Sequence, residues 1–332
     1  MIPVFSLLNT IYLKKRPFFL NHKINIKCDC HCKICDTWRI EEKPDKLLSN
    51  SEIKSMLTRA ASLGTYGYWC WGGEPLLRED TPDILAHSHK LGIFNMLSTN
   101  CSKLKDRYDE LLPYTDIFSV SMDGIGRTHD KTRGYPGLFD KVVEGIEILR
   151  RNKGRVRIFY VVNSMNADEI EDAVKLAKEL KVSINAYPIM RFAGWNEELM
   201  LDREKEREIF SKLLSLQKQG YPVVTVRKYL KIIRDGKQTK CLFPRYFVYV
   251  DWDGEIYNCS CGRLMNPLGN IRNIDLEKLY ESEDYKRKVK ELEQCNRCRT
   301  PAGELGGAGS LFRQFPERYF YHLKHEKIHL LK

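Results

Sequence analysis

No run of eighteen apolar residues occurs in the 332-residue chain, so no segment is fit to cross a bilayer as a helix. The opening stretch MIPVFSLLNTIYLKKRPFFL is apolar at first, but it has no basic leader before its apolar part and no small-residue cleavage site after it. It therefore reads as retained in the mature protein. Helix-turn-helix signatures, RNP-type aromatic motifs and dense basic arms are missing, and nucleic acid is not an expected partner. There is no internal repeat. Acidic residues are outnumbered, 44 to 55, and the formal net charge of +11 suits an acidic protein partner or a phosphate-bearing substrate, as well as a plainly solvated basic surface. The eleven cysteines do not make an even set of pairs, and they cluster at ligand-like separations in a long chain. Metal binding in a reducing cytoplasm fits this better than disulfides.

A 42% apolar and 30% charged composition is that of a globular protein long enough for one large α/β domain and a small appendage. Strand-like and helix-like segments alternate from residue 22 to 190, which predicts parallel strands joined by crossover helices. The strands are predicted at His22–Lys27, Gly67–Trp71, Ile93–Ser98, Ile117–Met122, Val156–Val162 and Ser183–Tyr187. Ser49 with Glu52, and Asn166 with Glu169, read as capping boxes, and Pro82 after Thr81 as a first helical turn. Leu138, Val142, Ile146 and Leu149 share one helix face. Six βα units are too few for a closed eight-fold barrel and predict a partial (β/α)6 TIM-like one, with reactive groups at the strand C-termini. Charged helices follow at Leu199–Gln219 and Tyr229–Arg234, then a hairpin of Tyr246–Val250 and Glu255–Tyr257, then a helix near Ile274–Glu291. The expected divisions are an extension (1–21), a barrel (22–194), a helical bridge (195–240), a cysteine-bearing domain (241–300) and a Gly-rich, aromatic and basic tail (301–332).

In KCDCHCKICDTWR the spacing Cys28-x3-Cys32-x2-Cys35 lies directly after the first strand. Three thiolates from one short loop hold three irons of a cubane and leave the fourth iron for a chelating substrate. A zinc site, with Cys30 or His31 as fourth ligand, is the competing reading, and Cys30 is otherwise a bystander. The motif in this place resembles the radical S-adenosylmethionine (SAM) superfamily. The resemblance implies a [4Fe–4S] cluster, bound SAM, a 5′-deoxyadenosyl radical and a low-potential donor such as ferredoxin or flavodoxin. Such proteins usually carry an aromatic residue before the third cysteine, where this chain has Ile34.

Companion motifs end the next strands. Gly72, Gly73, Glu74 and Pro75 form WGGEP, whose paired glycines admit close backbone approach, and the resemblance implies a grip on the SAM amino group. Ser98, Thr99 and Asn100 could hydrogen-bond a ribose or cap a helix. The fourth strand ends in SVSMDG, which aims Ser121 and Asp123 at the same mouth as the first cysteine group, Asp123 as an acid or base or as a turn residue. Arg133 could fork onto the SAM carboxylate or lie at the surface, and Asn163 could touch the nucleoside.

Cys241, Cys259, Cys295 and Cys298 make a second group, with Cys261 as an alternative to Cys259 and a zinc ribbon as the competing reading. The pattern resembles the SPASM extension in its shortened "twitch" form, since the further cysteines of the full form fall on Glu304 and Ala308. That implies one fully ligated auxiliary [4Fe–4S] cluster. Cys70 and Cys101 have no partner spacing and read as core or near-site thiols. The expectation is a cytoplasmic oxidoreductase-like enzyme abstracting hydrogen from a C–H bond of a small anionic metabolite or lipid. Maturation of a ribosomally made peptide is the alternative, and a non-catalytic iron–sulfur or zinc protein a further one. The first twenty residues could rest on a membrane surface or pack over the barrel bottom.

Overall fold

The computed structural model describes residues 16–190, 196–237, 241, 243–259 and 265–295. Parallel strands β1 (Phe19–Lys23), β2 (Gly67–Trp71), β3 (Phe94–Thr99), β4 (Ile117–Ser121), β5 (Val156–Val162) and β6 (Ser183–Pro188) are neighbours in sequence and in space. Beyond β1, β7 (Phe247–Val250) adds in parallel, and β8 (Glu255–Tyr257) and β9 (Gly269–Asn270) continue antiparallel. The described strands thus form one sheet in the order β6-β5-β4-β3-β2-β1-β7-β8-β9. The cysteine-bearing segment extends the barrel's own sheet, a long-range pairing that the hairpin pattern alone does not reveal.

The first strand begins and ends earlier than its sequence suggests. Asn25 to Lys27 bond to the loop after β2, because Gly73 N–H donates to Asn25 O (2.9 Å) and Glu74 N–H to Lys27 O (2.9 Å). Helices α1 (Asn50–Ser62), α2 (Thr81–Lys90), α3 (Leu104–Leu111), α4 (Arg127–Arg133), α5 (Leu138–Arg151) and α6 (Ile170–Glu179) belong to the crossovers. Ser49 and Glu52 form a true capping box on α1. The second expected box is absent: Asn166 Nδ2 donates to Val161 O, and the Glu169 carboxylate accepts from Ile125 N–H and Thr128 O–H. On α5 the predicted face, Leu138, Val142, Ile146 and Leu149, is fully buried.

After the barrel come α7 (Arg203–Lys218), α8 (Arg227–Asp235) and the single turn α9 (Phe243–Tyr246). The helix expected over Ile274–Glu291 is broken into α10 (Leu276–Glu281) and α11 (Glu283–Glu293). Ser282 is extended, and its Oγ accepts from Tyr285 N–H, so the serine ends one helix and caps the next.

Two observations show that the sheet curls. On β5 burial alternates, with Val156, Ile158, Tyr160 and Val162 in the core and Arg157, Phe159 and Val161 partly open. Trp69 on β2 and Phe159 on β5 lie three strands apart, about 14 Å along a flat sheet. Their ring centroids are nevertheless 6.2 Å apart. The inner faces of β2 and β5 therefore look at each other across a lumen, as in a partial barrel.

Candidate active site

The WGGEP loop is stitched to the segment that leads into the cysteines. A Cβ on Gly73 would lie 2.3 Å from Lys27 O, and one on Gly72 2.6 Å from Asn25 O, so only glycine permits this approach. Asn25 Nδ2 donates to Glu74 O at 2.9 Å, and Arg78 holds Ile24 O at 3.1 Å. On the other side α4 clamps the cysteine loop: Lys33 N–H donates to Thr132 O (2.9 Å), and Gly134, at φ +62°, leaves room for His31 O.

Within this clamp Cys32 is buried, while Cys28 and Cys35 are half-buried. The Arg133 guanidinium lies 3.9 Å from Cys32 Sγ and 2.5 Å from Asp123 Oδ2. A hydrogen bond from the Cys30 thiol, with Arg133 behind it, brings the Cys32 thiol down to about 7 against its burial. Burial raises the Cys35 thiol. Three soft sulfur donors on one loop, one of them poised as a thiolate beside a guanidinium, suit an iron–sulfur cubane. Cys30 is closer to this group than a bystander would be, since the ligand atoms of Cys28, Asp29 and Cys30 lie within 4.8 Å of one another. Its Sγ also accepts from Asn100 Nδ2 at 3.0 Å.

Several residues expected to face SAM are engaged by the protein itself. Glu74 is 1% exposed, and its carboxylate accepts from Leu76 N–H, Thr99 O–H and Asn100 N–H. Burial lifts that carboxyl to about 7 against these donors. Asn100 spends its amide on Asp29, Cys30 and Ser102 N–H. Asn163 is buried, bonding Val161 O and Met165 N–H. Asp123 accepts from Val161 N–H and pairs with Arg133 under complete burial, which raises its carboxyl. That geometry makes Asp123 a brace for Arg133 rather than an acid or base open to substrate. Ser98 Oγ accepts from Trp69 Nε1–H (2.7 Å), and Ser121 is half-buried at the end of β4. Cys70 and Cys101 are buried core thiols.

The lumen was missed by motif reading. Trp69, Phe159 and Tyr187 form a line of rings at 6.2 and 5.1 Å, and Lys23 Nζ sits 5.2 Å from the Trp71 ring. Asn21 pairs in register with Trp69, and Asn185 with Phe159. Asn21 Oδ1, Trp71 Nε1 and Asn185 Oδ1 are all buried without a hydrogen-bond partner. Such orphans are costly unless a ligand meets them. The alternation in GYWCW and VRIFYVV carried this signal, but alternation alone does not say which face is hollow.

In the second cysteine group, Cys241 packs with Met265 and Trp71 against Phe243, Tyr249 and Tyr257, so this cysteine adjoins the lumen wall. Cys259 follows β8, and Cys295 follows α11 with its N–H on Leu292 O. Cys261 and Cys298 lie outside the described residues, as do the first fifteen residues and the Gly-rich tail. No helix among the described residues is long and apolar enough to cross a membrane.

Residues 24–177 match the family model of the radical SAM superfamily, and residues 241–299 match SPASM, an iron–sulfur cluster-binding domain. The AdoMet-dependent heme synthase of Methanosarcina barkeri is 27% identical over 308 residues, covering 86% of this chain and 88% of that protein. Fe-coproporphyrin III synthase of the same organism is 26% identical over 76% of this chain and 71% of its own length. PqqA peptide cyclase of Rhizobium meliloti is 22% identical over 88% and 82%. Among solved structures, Streptococcus suis SuiB bound to S-adenosylmethionine shares the fold, with TM-score 0.70 and 16% identity over 83% of this chain and 68% of that one.

Proposed function

This chain belongs to the radical SAM superfamily of enzymes, and on that premise we propose that it takes hydrogen from a C–H bond of a small anionic substrate with a flat apolar part, for net oxidation. Its cofactors are SAM with a [4Fe–4S] cluster in the barrel, and an additional iron–sulfur cluster in the SPASM domain. Cys28, Cys32 and Cys35 would hold the first cluster, and Cys241, Cys259, Cys295 and Cys298 the second. Bound together, cluster and SAM supply a primary-carbon radical able to attack an unactivated C–H bond. Arg133 offsets the negative charge gathered at Cys32, and Gly72 and Gly73 let the WGGEP loop pack against the backbone of residues 25–27 that leads into the cysteines. Four thiolates would leave no open iron on the second cluster, which suits a role in accepting the substrate's electron.

The observation that carries the substrate class is the ring-lined lumen with its orphaned polar atoms. Trp69, Trp71, Phe159 and Tyr187 offer stacking surface, and Lys23 with Trp71 Nε1–H offers an anion a cation and a donor. Asn21 and Asn185 oxygens would accept from N–H or O–H groups of the same molecule. The relatives named for heme and Fe-coproporphyrin III make flat, carboxylate-bearing products, which supports this reading. The likeness to PqqA peptide cyclase supports the alternative, peptide maturation.

Anaerobic reconstitution should give about eight irons per chain. Carboxylated porphyrins, acidic lipids and peptides are then offered with SAM. A porphyrin carboxylate that raises 5′-deoxyadenosine formation, an effect lost in Trp69→Leu, is the expected result; stimulation by peptides alone would replace this reading with the alternative.

A further inference from the structure

The run CDCHC holds a buried thiol that the proposed ligand sets leave out. Cys30 is 1% exposed, and its backbone N–H donates to Cys28 Sγ at 3.4 Å. Asn100 Nδ2 donates to Cys30 Sγ at 3.0 Å and to Asp29 Oδ1 at 2.9 Å. The Asn100 amide cannot be turned round, because its Oδ1 already accepts from Ser102 N–H at 2.8 Å, and its own backbone N–H is held by Glu74. Cys30 Sγ is therefore an acceptor on the Asn100 side, and its hydrogen is left for a neighbouring sulfur. Hydrogen bonding to Cys28 and Cys32, together with burial, holds the Cys30 thiol far above its ordinary range, so it keeps that hydrogen. The bond from Cys30 is also the leading cause of the lowered Cys32 thiol.

We propose that Cys30 is a positioning residue that sets the reduction potential of the cluster held by Cys28, Cys32 and Cys35, by donating its S–H to the Cys32 sulfur. The proposal rests on the reading of those cysteines as cluster ligands. A one-electron donor adds one negative charge to the cluster, and the ligand sulfurs share that charge. A hydrogen bond to a ligand sulfur stabilises the more negative, reduced form more than the oxidised one, so it raises the potential. The electron comes from the donor, no proton accompanies it, and the Cys30 thiol is neither oxidised nor deprotonated. The Asp29 carboxylate, close to the Cys28 and Cys30 sulfurs, opposes the effect, and the Asn100 amide offsets it by donating to Asp29 Oδ1. The bonds run in series: Glu74 holds Asn100, Asn100 orients Cys30, and Cys30 donates to Cys32. The WGGEP loop is thereby joined to a cluster ligand through side chains as well as through backbone.

The test is a redox titration of the reconstituted full chain, following the EPR signal of the reduced cluster that changes when SAM is added. That signal reads the barrel cluster apart from an auxiliary one. Cys30→Ala removes the S–H but keeps the backbone N–H on Cys28 Sγ. At a fixed solution potential its reduced-to-oxidised ratio should fall about tenfold, the order of one hydrogen bond to a charged group, which is about 59 mV toward lower potential. Cys30→Ser keeps a donor of similar shape and should return most of the ratio. Asn100→Leu, which frees the thiol to turn, should lower the ratio about threefold. A ratio that is unchanged or raised in Cys30→Ala overturns the proposal, because water entering the vacated space would raise the potential. A ratio as low in Cys30→Ser as in Cys30→Ala overturns it too, since packing and not the donor would then be at work. If Cys30→Ala does not hold the cluster, Asn100→Leu decides, and an unchanged ratio there overturns the proposal. If no reduced signal of the wild-type chain responds to SAM, or Cys32→Ser still gives that signal, the underlying reading of the cysteines fails instead.

Discussion

Arg133 illustrates what a single residue does at this centre. It lies between a buried carboxylate and the Cys32 sulfur, and its own burial would lower its basicity, but Asp123, Cys32 and Cys30 together more than reverse that. Arg133→Met would leave Asp123 without its cation in a fully buried site and should cost about 3–5 kcal/mol in chemical denaturation. Asp123→Asn in the same chain should recover part of that loss; no recovery would mean the pair is not coupled. Gly73 makes the complementary case. Gly73→Ala drives a methyl group against Lys27 O and Ile26 O, an overpacking of about 1–3 kcal/mol. Calorimetric titration of SAM should show weakened binding in that variant, whereas wild-type affinity would show that the loop has slack. The cysteines and glycines stand out in the sequence by residue type and spacing, and the structure brings the two motifs together, with the WGGEP loop bonded to the segment that leads into Cys28. Glu74, Asn100 and Asp123 were legible only as polar residues at strand ends. Whether such a side chain faces a ligand or its own backbone depends on neighbours 26 to 71 positions away.

Among the elements, those with a local signal agreed with the sequence. Alternation located β2 and β5 to the residue, and the spacing of Leu138, Val142, Ile146 and Leu149 gave the buried face of α5. Ile146→Ala on that face should cost about 2–5 kcal/mol, read as a lower denaturation midpoint with unchanged slope. A loss within ±0.5 kcal/mol would contradict the packing described here. Where elements are set by distant partners, sequence reading slipped. Residues 24–27 left the first strand for the WGGEP loop, Ser282 broke a helix whose apolar pattern ran through it, and β7 found β1 across more than two hundred residues. Asn166 and Glu169 have the right types for a capping box, but each has a better partner elsewhere.

At the scale of the whole molecule, two buried histidines set its response to acid. Burial drives both His22 and His129 down to about 3 from the ordinary 6.5. Between pH 6.5 and 3 the unfolded chain therefore binds two protons that the fold refuses, and their contribution to stability is lost as pH falls through that window. Glu74 acts in the opposite sense: its folded carboxyl holds its proton up to about 7 against 4.5, which offsets one of the two protons between pH 4.5 and 6.5. These three groups leave a slope of about 1.4 kcal/mol per pH unit there. His22→Phe should remove it, and an unchanged slope would show that His22 is not held neutral. The sheet that buries His22 also joins the two cysteine groups, since β7 pairs with β1 and Tyr249 on β7 meets Trp71 on β2 at 5.8 Å. Cys241 is thereby packed against the wall of the lumen where substrate is proposed to lie.

The most direct measurement is 5′-deoxyadenosine release from SAM by the reconstituted chain under dithionite, comparing the wild type with Cys32→Ser and Cys30→Ser. Release by the wild type and by Cys30→Ser, with none from Cys32→Ser, is the expected result. Release that survives Cys32→Ser, or a purified chain carrying zinc in place of iron, would contradict it.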